Sequence, residues 1–342
     1  MNVIDIFAEL GHRLESFGKE ESSRHIIAKA IAENEWFTEE DILRSVEAIR
    51  STMLQAELLK RWSAQYHTAT KPQSVAVIMA GNIPLVGFFD LLCVVISGHR
   101  CYIKPSSKDR VLITYIVELL RSIDHDIAIY DYSPDDEYDA LIATGGDEAI
   151  RYFDERYPTT RRLLRGSRHS VAILDGKESD EELQGLVTDI TAYSGLGCRS
   201  VSLIFTPEGH RPQLHSATPR CQKLEHNLRS ERALSIMQQR PVEDCGGFLV
   251  TPSYDFPTAL SCVSICEYRS LDEVTQWLEN NAQQVQCVVT HIDSLAHSIP
   301  FGSIIPYGRA QYPTLNDYAD GCDTMRWLVE SKRVSNNLLF DK

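Results

Sequence analysis

The chain has 342 residues, 43% hydrophobic and 24% charged, a composition that excludes a disordered or low-complexity protein and leaves room for two domains. Thirty-four Lys and Arg stand against 48 Asp and Glu, and the net charge of -14 excludes a general nucleic-acid binder and an anionic membrane surface as partners. Nine cysteines form no Cys-x-x-Cys pair, so no metal site is expected from them.

In chain order, Asp5 interrupts the first residues, which lack the basic flank and apolar core of a signal peptide, so a cytoplasmic protein is expected. Residues 1–70 alternate helical periods with polar turns and read as a helical arm. Within it Thr38-Glu39-Glu40-Asp41 predicts the capped, acidic start of one long helix reaching about residue 66. Residues 74–79 read as a buried strand, Ala80-Gly81-Asn82-Ile83-Pro84 as a turn, and 85–96 as an almost wholly apolar helix. A membrane span needs about 20 apolar residues; this run is shorter and carries Asp90, so no span is expected. Strands follow at 101–104, 127–130 and 141–143, with a turn at Pro105-Ser106-Ser107 and a helix at 109–122.

The second half reads as another α/β unit. Strands are expected at 162–164, 171–174, 201–205, 247–250, 262–268 and 286–290, with helices at 180–193 and 271–281. Residues 207–241 form a polar insertion of loop and helix with no assigned role. Strands alternating with helices imply parallel sheets, which bind ligands beyond the carboxyl ends of their strands.

One thiol stands apart. Cys198 lies in Tyr193-Ser194-Gly195-Leu196-Gly197-Cys198-Arg199-Ser200, between a helix pattern and a strand pattern, whereas Cys93, Cys101, Cys266 and Cys287 fall in apolar patterns and read as core. Glycines beside a thiol allow close approach of a substrate, and Arg199 is expected to lower the Cys198 pKa toward a reactive thiolate. Thr144-Gly145-Gly146 opens a helix whose free N–H groups suit a pyrophosphate, although Asp147 would repel one. The Gly-x-Gly-x-x-Gly fingerprint and the Gly-x-Ser-x-Gly elbow are both absent. Glu178-Ser179-Asp180-Glu181-Glu182 reads as an acidic helix start, and His169 as a surface histidine.

Five blocks in order resemble the aldehyde dehydrogenase superfamily: Asn82-Ile83-Pro84, Gly98 to Ser106 with its Lys104-Pro105-Ser106, Ala143-Thr144-Gly145-Gly146, Cys198, and Arg269-Ser270-Leu271-Asp272-Glu273. Gly195 to Ser200 and the tail block at 306–321 are most similar to the LuxC-type acyl-CoA reductases. The resemblance implies an aldehyde-dehydrogenase-like α/β fold, with the helical arm and a Rossmann-type dinucleotide-binding domain at 1–170 and a catalytic domain with a C-terminal tail at 171–342. It implies Cys198 as nucleophile and Asn82, with the Cys198 N–H, as oxyanion donors. Lys104 and Ser106 would meet the adenosine ribose or its phosphate, and Thr144, Gly145 and Gly146 the pyrophosphate or nicotinamide. NADPH is the implied cofactor, with NADH open; the implied partners are an acyl-CoA or acyl-carrier thioester, an acyl-protein synthetase and a second copy of the chain.

One departure bears on the reaction. Superfamily members that hydrolyse their thioester use a glutamate in Glu-Leu-Gly-Gly-Lys, where this chain has Leu164-Arg165-Gly166-Ser167-Arg168. Lacking that base, a thioacyl enzyme suits hydride addition better than hydrolysis. The alternatives are a CoA-acylating aldehyde dehydrogenase running oxidatively and a non-catalytic partner subunit of the same fold. Residues 307–318 are expected either to line an acyl channel or to pack the tail back across the molecule.

Overall fold

The computed structural model describes residues 1–215, 219–260, 262–297 and 304–330. The helical arm comprises α1 (Val3–Arg13), α2 (Glu21–Glu33), α3 (Glu39–Thr52) and α4 (Ala56–Ser63). Thr38 caps α3 as expected, its Oγ1 accepting from the Asp41 N–H at 3.1 Å. The single long helix expected from residue 38 is instead two. Met53 and Leu54 are both buried, so the chain leaves the helical period to insert consecutive apolar residues, and Leu54 seats against Gly11 of α1.

Five parallel strands form the first sheet, in the order β3-β2-β1-β4-β5: β1 (Ser74–Ile78), β2 (Arg100–Lys104), β3 (Ile129–Asp131), β4 (Ala140–Thr144) and β5 (Arg161–Arg165). Helices α5 (Phe88–Ile96), α6 (Arg110–Ile123) and α7 (Asp147–Arg156) connect them. The strand expected at 162–164 closes this sheet rather than opening the next, because it pairs with β4. Helix α5 starts three residues later than its apolar run suggests. Leu85 takes a left-handed conformation with φ 57°, and its N–H donates to the buried Asp109 carboxylate at 2.8 Å, turning the chain before the helix begins.

The second sheet has seven strands in the order β12-β11-β6-β7-β10-β9-β8: β6 (His169–Ile173), β7 (Val201–Pro207), β8 (Glu243–Asp244), β9 (Leu249–Pro252), β10 (Cys262–Tyr268), β11 (Val285–Val289) and β12 (Ile304–Ile305). All pairs are parallel except β8 with β9. Helix α8 (Asp180–Thr191) covers one face through Leu186, Val187 and Ile190, and α10 (Leu271–Asn280) the other through Val274 and Leu278. The insertion contributes one helix of its own, α9 (Gln222–Met237); residues 216–218 within it lie outside the described residues.

The tail crosses back. Leu315, and Met325 and Leu328 of α11 (Thr324–Val329), are buried in the core of the arm and first sheet, Tyr318 accepts from Trp62 Nε1 at 2.8 Å, and Thr52 donates to the Pro313 carbonyl at 2.7 Å. Residues 331–342, assigned to the tail from the sequence, lie outside the described residues. No helix among the described residues is long and apolar enough to cross a membrane.

Candidate functional site

The carboxyl edge of the first sheet meets the amino edge of the second, and Cys198 stands at the meeting. Ser170, at the start of β6, donates through its hydroxyl to the Cys198 carbonyl at 2.8 Å. Ahead of the thiol, Tyr193, Ser194 and Gly195 are all left-handed, with φ of 53°, 56° and 72°. For the two non-glycine residues this costs about 1–2 kcal/mol each, and the surroundings supply the restraint. The Tyr193 N–H donates to the buried Asp41 carboxylate at 3.1 Å, and Leu196 N–H closes back on Tyr193 O at 3.1 Å.

The turn after β1 lies against this loop. Asn82 donates from Nδ2 to the Leu196 carbonyl at 2.6 Å, and a Cβ on Gly197 would meet Ile83 at 3.7 Å. The same helix holds both turns: Ser45 of α3, one helical turn beyond Asp41, donates to the Pro84 carbonyl at 2.7 Å. Asn82 and Cys198 therefore reach one place from residues 116 positions apart in sequence. The Asn82 amide spends one N–H on Leu196 and keeps a second.

Burial pushes the Cys198 thiol pKa up; Arg199 pulls it down, Asp320 raises it and Arg165 lowers it, and the net direction is upward. This corrects the expected lowering by Arg199. That guanidinium is present, but Nη2 is spent on the Asp317 carbonyl at 2.9 Å, and desolvation of the thiolate outweighs the remaining attraction. Arg199 Nη1 is buried without a hydrogen-bond partner among the described residues.

The residues expected at a cofactor line the carboxyl edge of the first sheet. Lys104 ends β2 beside Ile78 and is exposed. Ser106 packs on the turn after β1, where a Cβ on Gly81 would fall 2.6 Å from its Cβ and Oγ, so only glycine fits at position 81. Thr144 ends β4 with its hydroxyl buried and without a hydrogen-bond partner among the described residues, Gly145 N–H donates to the Arg165 carbonyl at 3.1 Å, and Gly146 is exposed at the start of α7 with open space where a Cβ would stand. These lie where the strand order reverses between β1 and β4, the crevice an open parallel sheet offers a ligand.

Sequence reasoning missed the ion pairs beside the thiol. Both Asp90 oxygens accept from Arg165 Nη1 at 2.6 and 2.8 Å, Arg165 Nη2 donates to Thr324 at 2.6 Å, and Arg168 pairs with Asp320 at 2.9 Å. The two arginines of the block lacking a glutamate thus anchor the tail. A charge in an all-apolar helix, Asp90, and polar Asp41 and Ser45 within the apolar stripe of α3 were the available signals. His169 is half-buried rather than fully exposed: it stacks on Phe256 with centroids 4.3 Å apart and is 3.0 Å from the Ser202 hydroxyl, and burial lowers its pKa. Residues 307–318 pack the tail back across the molecule, the second of the two expectations for them, with Tyr307 donating to the Ile173 carbonyl at 2.8 Å.

Residues 15–228 match the family model described as acyl-CoA reductase (LuxC). Curated relatives include a long-chain acyl-protein thioester reductase 2 of Photobacterium leiognathi, 25% identical over 46% of this chain and 38% of its own length. Another is a long-chain acyl-protein thioester reductase of Aliivibrio fischeri, 28% identical over 41% of this chain and 33% of its own. The aligned regions therefore span less than two fifths of these relatives. Among solved structures, aldehyde dehydrogenase 21 from Physcomitrella patens, in complex with succinate, superposes with a TM-score of 0.67 at 12% identity, over 96% of this chain and 83% of that one. An aldehyde dehydrogenase of Mycobacterium tuberculosis complexed with NAD+ gives 0.65 at 13% identity, over 94% and 81%. The fold is aldehyde-dehydrogenase-like, as the sequence blocks implied.

Proposed function

The chain belongs to the acyl-CoA reductase (LuxC) family, and on that premise we propose that it reduces a long-chain acyl thioester, carried by a protein or by CoA, to the aldehyde with NADPH as reductant. The observation carrying this reading is the pairing of Cys198 with the Asn82 turn, beside a block whose charged residues are arginines.

Cys198, once deprotonated, attacks the thioester carbonyl; its S–C bond forms while the carbonyl electron pair moves to oxygen. The second Asn82 N–H and the Cys198 N–H stabilise that oxyanion, each such donor contributing about 2.7–4 kcal/mol. Collapse expels the donor's thiolate and leaves the acyl group on Cys198. The 164–168 block offers no carboxylate to activate water, only Arg165, held on Asp90, and Arg168, held on Asp320, which favours reduction over hydrolysis.

The carboxyl edge of the first sheet fits a dinucleotide: the unpartnered Thr144 hydroxyl seeks a hydrogen bond, and the space at Gly146 admits a group against the start of α7. Thr144 and Gly146 would hold the pyrophosphate, with Gly145, whose N–H is spent on the Arg165 carbonyl, allowing its close approach, and with Lys104 and Ser106 at the ribose or its phosphate. A cofactor bound there would supply hydride to the acyl carbon. Cys198 is the group then expelled, leaving as thiolate, and its sulfur takes up a proton.

The test is NADPH oxidation with acyl-CoA and acyl-protein donors of graded chain length, the aldehyde being trapped, in the parent and in Cys198→Ala. The expected outcome is a loss of turnover on the order of 10⁴-fold or more with NADPH affinity retained. Undiminished turnover in the variant overturns the role of Cys198. No oxidation with any donor favours a partner subunit without catalysis, and thioester formation from aldehyde and CoA faster than its reverse favours the oxidative direction.

A further inference from the structure

A second group of titratable side chains lies at the carboxyl edge of the second sheet, at the other end of its strands from Cys198. There β6 and β11 are neighbours, although α8 after β6 and α10 before β11 lie on opposite faces. The strand order reverses between them, and the ends of two such strands bound a crevice of the kind in which open parallel sheets hold ligands. Asp175 and Glu178 come from the turn after β6, Glu182 from the first turn of α8, and His291 from just beyond β11.

One ligand atom from each of Asp175, Glu178 and His291 falls within 4.8 Å of the other two. His291 Nε2 is 3.1 Å from Asp175 Oδ1 and 3.8 Å from Glu178 Oε1, while Nδ1 is 2.7 Å from Glu182 Oε1. The Glu178 side chain is only 1% exposed. It accepts from the N–H groups of Asp175 and Gly176 at 2.7 and 3.1 Å, a setting built for a carboxylate, and lies 3.4 Å from the Tyr307 hydroxyl, whose proton is shared with the Ile173 carbonyl. Its one cationic neighbour within 4 Å among the described residues is His291; Lys177, 82% exposed, reaches only Asp175, at 3.4 Å. Three carboxylates thus share one imidazole and one solvated ammonium. A buried carboxylate is paired or holds a metal, and this one is short of positive charge.

We propose that Asp175, Glu178 and His291 bind a divalent cation of the Mn²⁺ or Zn²⁺ kind. Two carboxylate oxygens and Nε2 are the ligands, and Glu182 accepts the Nδ1 proton, which fixes the tautomer and turns the Nε2 lone pair toward the ion. A centre about 2.1 Å from each atom requires the triangle to contract by about an ångström, within reach of Asp175 and His291, which are 28% and 30% exposed. The ion ties the turn after β6 to the end of β11. A Cβ on Gly176, between two of the ligands, would meet the His210 ring at 3.5 Å, and His210 lines a neighbouring cleft of about 580 Å³ that the ligands themselves do not line.

The full chain, freed of metal by a chelator, is titrated with Mn²⁺ and followed by electron paramagnetic resonance, since this hard ion avoids the nine thiols. The expected result is one Mn²⁺ per chain, with affinity falling at least about 100-fold in Asp175→Asn and His291→Ala and about 10-fold in Glu182→Gln. Mn²⁺ should also broaden the imidazole resonances of His291 in the parent protein before those of other histidines, a readout that needs no variant to fold. Absence of stoichiometric binding, equal affinity in variants with native circular dichroism, or broadening of a different histidine first overturns the site and leaves an ion-pair network.

Discussion

The two sheet edges that face one another are built differently. Around Cys198 nearly every polar group is engaged: Asp41 on the Tyr193 N–H, Asn82 on Leu196, Ser170 on the Cys198 carbonyl, and Gln311 on the Ser200 hydroxyl at 3.4 Å. On the opposing edge Lys104 is exposed at the end of β2, and among the described residues the Thr144 hydroxyl has no partner and a Cβ on Gly146 would meet nothing within 4 Å. The contrast teaches a division of labour. A nucleophile must be held in a strained turn, and restraint costs hydrogen-bonding capacity; a binding rim must keep that capacity for its ligand.

Substitutions test this contrast in order of size. The largest stability effect is expected from Arg165→Met, which leaves Asp90 buried and unpaired: about 3–5 kcal/mol, read by urea denaturation. Adding Asp90→Leu should recover most of it; a double variant as unstable as the single would assign the loss to packing instead. Next, Asn82→Ala is expected to lower kcat by about 10²–10³-fold with a much smaller change in KM. Loss confined to KM would reduce Asn82 to a clamp on Leu196.

On the locked edge, Asp41→Ala should cost about 1–3 kcal/mol by orphaning the Tyr193 N–H. On the open edge, Lys104→Ala should stay within about 0.5 kcal/mol while weakening cofactor binding. Equal stability losses at the two positions would erase the distinction. The pH dependence of alkylation is the gentlest probe. Because burial raises the Cys198 pKa, its thiolate fraction at neutral pH is small and grows as pH rises. Its iodoacetamide rate should therefore climb about tenfold per pH unit up to about pH 8.5, the ordinary thiol value. A plateau near neutrality would show a lowered pKa in solution.

The apolar runs around β1, β2, β4, β6, β7, β10 and β11, the turns between them and the placing of Cys198 were legible in the chain, because period and turn chemistry are local properties. So were the cap at Thr38 and the acidic helix start at 178–182, which the structure completes with a capping box between Ser179 and Glu182 that the sequence reading did not name. What stayed hidden depends on partners distant in sequence. Arg165 and Asp90 lie 75 positions apart, and Tyr193 and Asp41 lie 152 apart; no spacing rule links them. The split between α3 and α4 and the late start of α5 were set by what Leu54 and Leu85 meet in space, Gly11 and Asp109.

The direction of the Cys198 pKa shift shows the same limit. The sequence placed an arginine beside a thiol, which determined an attraction; the fold half-buried the thiol, aimed that arginine at Asp317 and brought Asp320 near. Charge identity is written in the chain, but the dielectric and the distances that weigh one charge against another exist only once it has folded.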